Sequence, residues 1–180
     1  MTDFVKAYDV RGLVPEQLDV DVAWSLGAAF AEVVAVREAA RAVVIGHDMR
    51  DSSPELSRAF ARGVAGRGVD VIEIGLASTD GLYYASGSLD LPGAMFTASH
   101  NPAAYNGIKL CRAQARPVGQ ESGLREVRDL AQADLDAGRT LAEVAADTAE
   151  PAPITPRDLL TEYATFLRLL VDLSASRPLR

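Results

Sequence analysis

Ser99, His100, Asn101 and Lys109 would bring a hydroxyl, an imidazole, an amide and an ammonium onto one short stretch of chain. A hydroxyl can act as a nucleophile, an imidazole can exchange a proton near neutral pH, and an ammonium can balance anionic oxygens. The stretch opens with an apolar run of strand length, Pro92 to Ala98, that stops abruptly at Ser-His-Asn-Pro. Asn and Pro form turns, and Pro102 biases Asn101 away from helix. A buried strand should therefore deliver Ser99 and His100 to a tight loop at its C-terminal edge, where open α/β sheets bind ligands. Asn106-Gly107 should make a second turn, with Ile108 to Cys111 returning as a short strand that carries Lys109.

The elements that must hold this loop can be read along the chain. Phe4 to Val10 has the pattern of a short strand ending in Asp9-Val10-Arg11-Gly12. Asp19 or Asp21 can cap a helix to about Glu38, with Val22, Leu26, Ala29, Phe30 and Val33 on its apolar side and Gly27 as a close-packing position. Trp24 reads as core or domain edge, and Arg41 to Gly46 as a buried parallel strand. That strand opens into His47-Asp48-Met49-Arg50, after which Ser53-Pro54-Glu55 starts a helix to about Arg67. His47 reads as a loop residue. Arg50 has two readings, an ion pair with Asp48 or Asp51, or a contact to substrate. Val69 to Gly75 is a further strand, and Ser78-Thr79-Asp80 begins a helix to about Ser88. Strand and helix alternate, which implies a three-layer α/β/α domain with a mixed, mostly parallel sheet. A loop containing Arg112 and Arg116, both read as surface charges, leads to a helix from about Glu121 to Asp136.

Thr97-Ala-Ser-His-Asn-Pro102 with the following Asn106-Gly-Ile-Lys109 resembles the phosphoserine loop of the α-D-phosphohexomutases, which interconvert hexose 1- and 6-phosphates. Lys6-Ala-Tyr-Asp-Val-Arg-Gly12 is a second point of similarity, and Gly46-His-Asp-Met-Arg50 a third. The resemblance implies a four-stranded mixed sheet. It implies that Ser99 carries the transferred phosphoryl group and that Arg11 reaches toward it, as the planar fork of a guanidinium can. Lys109 would stabilise phosphoryl oxygens and His100 would serve as general acid or base. Tyr8 and Asn101 would contact substrate or its phosphate, although Asn101 could equally shape the loop. The family also uses Mg²⁺, bound here through the phosphate of Ser99, and glucose 1,6-bisphosphate as activator. The remaining metal ligands belong to an Asp-x-Asp-x-Asp cluster that this chain does not contain.

A chain of 180 residues, 48% hydrophobic and 24% charged, can bury a core of ordinary domain size. Its net charge of −7 argues against a nucleic-acid partner, so an anionic substrate needs a locally positive pocket. Cys111 is the single cysteine, which rules out an internal disulfide and suits a reducing cytoplasm. No apolar run reaches the ~18 residues of a membrane span, so no membrane partner is expected.

The domain division expected from these signals is a phosphoserine-bearing first domain over residues 1–146, a linker over 147–156, and the first helix of a truncated second domain over 157–180. That last helix has an apolar stripe of Leu159, Leu160, Tyr163, Phe166, Leu167, Leu170 and Val171, through which the chain could self-associate. The expected function is that of a phosphomannomutase/phosphoglucomutase acting on a hexose phosphate, with the isolated chain inactive for want of the C-terminal domains. A different class remains open, a non-catalytic α/β domain that binds a phosphorylated ligand or a partner chain. A serine hydrolase built on Ser99 and His100 is disfavoured, because adjacent side chains on an extended strand point to opposite faces.

Overall fold

Short apolar runs alternate with capped amphipathic stretches, and they become strands and helices in that order. The structure, a computed structural model, describes residues 1–141 and 150–171. β1 (Asp9–Leu13) is followed by α1 (Val20–Phe30), β2 (Ala42–His47), α2 (Ser53–Ala65), β3 (Asp70–Leu76) and α3 (Thr79–Leu89). Then come β4 (Gly93–Phe96), β5 (Tyr105–Arg112), β6 (Arg116–Pro117), α4 (Leu124–Asp136), β7 (Ile154–Pro156) and α5 (Leu160–Leu170). Asp19 caps α1 by accepting from the Val22 amide at 2.9 Å, and Ser78 caps α3 by accepting from the Gly81 amide at 3.0 Å. Among the described residues no helix is long and apolar enough to cross a membrane.

The strand order is β1-β5-β4-β2-β3-β7, with β6 beside β5. β2 lies parallel to β3 and β4, and β3 to β7, whereas β5 is antiparallel to β1, β4 and β6. Among the described residues only β5 opposes the common direction, so the sheet is mixed and mostly parallel. Helices cover both faces, as the alternation of elements predicts. Val43, Ile45, Val71, Ala94, Phe96 and Ile108 face α1, α2 and α4. Val44 and Met95 face the other way, onto Leu82 and Ala85 of α3 and onto Leu159.

On the first face two helices nearly touch. A Cβ on Gly27 would stand 2.2 Å from the Phe60 carbonyl oxygen, and one on Gly63 2.1 Å from that of Trp24. The absence of both side chains lets α1 cross α2 at backbone contact. Beneath the crossing, Phe60 packs on Phe30 and Phe96 with ring centroids 5.9 and 5.5 Å away. Burying one such side chain contributes roughly 1.5–3 kcal/mol.

Several expectations shift. Among the described residues the sheet has seven strands rather than four. β6 and β7 are edge additions of two and three residues, too short to show alternation. Pro117 and Pro156 sit at the margins, where a missing N–H is tolerated. The first strand starts at Asp9 instead of Phe4, because the Val5 amide donates to Met1 at 3.1 Å and the Lys6 amide to Asp9 at 2.7 Å, folding the chain back first. The helix expected to reach Glu38 is α-helical to Phe30 and continues in wider π-helical turns to Val36. Asn106 and Gly107 make no turn; they pair with Gly12 and Arg11 inside β5. Gly107 is needed there for close approach, since its Cβ would lie 2.3 Å from the Val10 carbonyl oxygen. Residues 154–156 of the expected linker run along β3 as β7, while 147–149 and 172–180 lie outside the described residues. The last helix begins at Leu160, where Asp158 accepts from the Leu160 amide at 2.8 Å.

Candidate active site

β4 ends at Phe96, and Ser99 follows in left-handed backbone with φ of +54°. A non-glycine residue held there costs roughly 1–3 kcal/mol, so the surroundings must impose it. Two contacts do so. The Ser99 amide donates to Thr97 Oγ1 at 3.0 Å, and the Ser99 carbonyl accepts from Arg50 Nη2 at 2.9 Å. Ser99 Oγ lies 3.3 Å from His100 Nδ1. The expectation that these neighbouring side chains diverge is therefore wrong. It assumed an extended strand at Ser99, whereas the strand has already ended and the left-handed turn swings the two together.

The cationic groups come from the two strands beyond β4. Lys109 on β5 pairs across to Met95 on one side and to Asp9 on the other, and Arg11 sits opposite Gly107. The Gly107 carbonyl accepts from the Thr97 amide at 3.0 Å, which ties this register to the start of the serine loop. Arg11 is thus mid-strand rather than at a turn. Its Nη2 meets Asp9 Oδ2 at 2.8 Å and its Nη1 donates to Asn101 Oδ1 at 3.0 Å. Lys109 Nζ shares the same Asp9 oxygen at 3.4 Å. Two cations against one carboxylate leave a positive excess beside the loop, in a chain that is acidic overall. The proposed substrate-binding Asn101 is therefore bound to Arg11 here.

Arg50 forms the expected ion pair with Asp48 and also gathers four backbone carbonyls. Its Nη1 donates to the carbonyls of Pro102 and Tyr105, both at 2.9 Å. Its Nη2 donates to those of Ser99 at 2.9 Å and Asn101 at 2.8 Å. Its Nε, without a hydrogen-bond partner, faces Asp48 Oδ2 at 3.3 Å. Burial would push the Asp48 carboxyl up, but hydrogen bonds from Ser53, from the Arg50 amide and from Thr97, with the Arg50 charge, hold it below the ordinary carboxylate value. Asn106, fully buried, secures the far side by donating to Ser52 Oγ at 2.8 Å and Ser53 Oγ at 2.9 Å. Ser99, Thr97, Asp48 and Met49 open onto a cleft of about 610 Å³ whose other wall includes Leu76, Met95, Leu159 and Tyr163.

Residues 3–136 match the family described as phosphoglucomutase/phosphomannomutase, alpha/beta/alpha domain I. The chain belongs to the phosphoglucomutase/phosphomannomutase family. It is 40% identical over 180 residues to the phosphohexose mutases of Xanthomonas campestris, covering 97% of this chain and 36% of that protein. It is 43% identical over 130 residues to a phosphomannomutase of Escherichia coli K12, covering 72% of this chain and 28% of that protein. Among solved structures, a phosphoglucomutase/phosphomannomutase family protein from Burkholderia thailandensis superposes with a TM-score of 0.77 at 29% identity, over 99% of this chain and 38% of that one. The chain thus spans about a third of the length of these relatives.

Within the family frame, the structure brings Ser99 with His100, and Arg11 with Asn101 and, through Asp9, Lys109. It does not bring Tyr8 into this network; that ring is 73% exposed and rests on Gly119. Nor do Arg112 and Arg116 join, since Arg112 pairs with Glu38 and Arg116 donates to the Ala113 carbonyl at 3.2 Å. The Mg²⁺ implied for the family does not fit the residues here. Among the described residues no three His, Cys, Asp or Glu side chains gather as a metal site. Asp48, which shares the cleft with Ser99, is already engaged by Arg50 and Ser53. Asp48 and Thr97 were missed as site residues, and Arg50 was left undecided. Their signal was charge and hydroxyl at the C-terminal ends of β2 and β4, two strands that lie side by side.

Proposed function

We propose that this chain is the phosphoserine domain of a phosphohexomutase that interconverts hexose 1-phosphate and hexose 6-phosphate of mannose or glucose. The observation that carries the reading is Ser99 itself, held in an enforced turn at a strand end, on a loop that Arg11 reaches through Asn101 at 3.0 Å. In the forward half-reaction the free sugar hydroxyl oxygen bonds to the phosphorus of phospho-Ser99 as the P–Oγ bond breaks. The hydroxyl proton passes to a base, and Ser99 Oγ leaves as an alkoxide equivalent that takes up a proton. His100, whose Nδ1 lies 3.3 Å from Oγ, would supply that proton. The resulting 1,6-bisphosphate turns over and returns its other phosphate to Ser99 by the reverse of these steps. Arg11 and Lys109 lower the cost of charge on the equatorial oxygens.

Contacts to the sugar's distal groups and the carboxylates for Mg²⁺ are assigned to the C-terminal domains of the complete enzyme, and the 180 residues alone are expected to show no sustained turnover. A cytoplasmic setting suits phosphorylated sugars and the lone Cys111. Tyr163 and Phe166 stack on Tyr84 of α3; Leu160, Leu167 and Leu170, which stay exposed, are the surface through which the isolated chain would self-associate. ³¹P NMR of the complete enzyme with hexose 1-phosphate and trace 1,6-bisphosphate tests the activity. Conversion to the 6-phosphate that vanishes in Ser99→Ala supports it; conversion that persists in Ser99→Ala contradicts it.

A further inference from the structure

Both polar groups of the Ser99 peptide are held by side chains. Thr97 Oγ1 takes the Ser99 amide at 3.0 Å. Arg50 takes the Ser99 carbonyl and is oriented by Asp48 through the 3.3 Å ion pair. The Asp48 amide donates to the Phe96 carbonyl at 2.9 Å, so the carboxylate is pinned to the end of the strand that carries the loop. Four carbonyl oxygens of the loop converge on the Arg50 guanidinium, which therefore offsets their partial negative charge near a site meant for an anion. With both its Nη groups donating to those carbonyls, Arg50 is unlike Arg11 and Lys109: it acts on the backbone.

From this geometry we infer that Arg50, oriented by Asp48, is a positioning residue for phosphoryl transfer. It keeps Ser99 in the left-handed conformation that aims Oγ, and it touches neither substrate nor phosphate. The inference rests on the reading of Ser99 as the phosphoryl carrier, and its two arms separate the one from the other. A shift of about 1 Å in the attacking or leaving atom can slow a reaction on the order of 100-fold, which sets the expected size.

The first arm is amide hydrogen exchange by NMR on this 180-residue chain. In Arg50→Met and in Asp48→Asn the Ser99 amide should exchange at least about tenfold faster, with Phe96 and Ile108 amides unchanged; Arg50→Lys should fall between. Ser99 protection unchanged in a folded Arg50→Met chain would overturn the inference. If Arg50→Met does not fold, Arg50→Lys decides by the same readout. The second arm is steady-state kinetics of the complete enzyme. Arg50→Lys should lower kcat with KM for hexose 1-phosphate nearly unchanged, because the missing contact is to the loop. A raised KM at unchanged kcat would make Arg50 a substrate contact and overturn the positioning role. Failure of the wild-type enzyme to carry phosphate on Ser99 would overturn the functional reading, while the exchange arm still decides whether Arg50 holds the loop.

Discussion

The two faces of the sheet are built differently. The face under α1, α2 and α4 is closed: Phe30, Phe60 and Phe96 are fully buried, and Gly27 and Gly63 let the helices meet at backbone distance. The face under α3 and α5 is open. Its buried cluster is five residues, Val44, Leu82, Ala85, Met95 and Leu159. Beside it Met49, Leu76, Leu160 and Leu170 stay exposed. Asp9, Lys109 and Met95 stand in register on this second face, and the cleft that reaches Ser99 lies there too. The larger core lies on one side of the sheet and the candidate site on the other. A strained serine and shared charges can thus be tolerated without thinning the main core.

Substitutions sort by face. The largest effect is expected for Gly63→Val, whose Cβ would meet the Trp24 carbonyl oxygen at 2.1 Å. Chemical denaturation should show a loss of more than about 3 kcal/mol, at the upper end of overpacking penalties; a loss under 1 kcal/mol would mean the helices are free to separate. On the open face, Arg11→Ala and Lys109→Ala should unfold like the wild type yet slow phosphoryl transfer in the complete enzyme by about 10²–10³-fold each, the cost of one lost charge-stabilising donor. Near-normal turnover in both would return them to a structural role. Leu170→Ser, at a residue 63% exposed, should change stability by no more than about 0.5 kcal/mol while lowering self-association in sedimentation. Unchanged association would show that α5 is not the contact surface.

The smallest effect is a slope with pH. Asp48 is held below its ordinary value in the folded chain, so its contribution is present above about pH 4 and lost as pH falls through the folded value. Asp48→Asn should flatten the acid side of the stability curve. An acid limb of unchanged steepness would mean other carboxylates dominate it.

The closed face was legible because helical spacing of apolar residues encodes burial directly, as at Leu26, Phe30 and Val33. Gly27 read correctly as a packing position for the same reason. The serine loop was legible as a place, since Pro102 and the apolar run before it mark a strand end. Its conformation was not. Ser99 adopts φ of +54° through Thr97 and Arg50, the latter 49 residues away, and no local pattern announces that. Asn106-Gly107 carries the local signal of a turn, yet tertiary packing uses the glycine to bring β1, β4 and β5 together. Tyr8 shares a motif with Arg11 but precedes the strand that holds Arg11, and its ring rests on Gly119 instead of joining the Arg11–Asn101 contact.

The assignment of Ser99 as the phosphoryl carrier can be checked without measuring turnover. The complete enzyme is incubated with hexose 1,6-bisphosphate labelled in both phosphates, digested, and the labelled peptide mapped by mass spectrometry. Phosphate on Ser99, absent from Ser99→Ala and present in His100→Ala at a slower rate, is the predicted result. Label on a different residue, or label retained in Ser99→Ala, would contradict it.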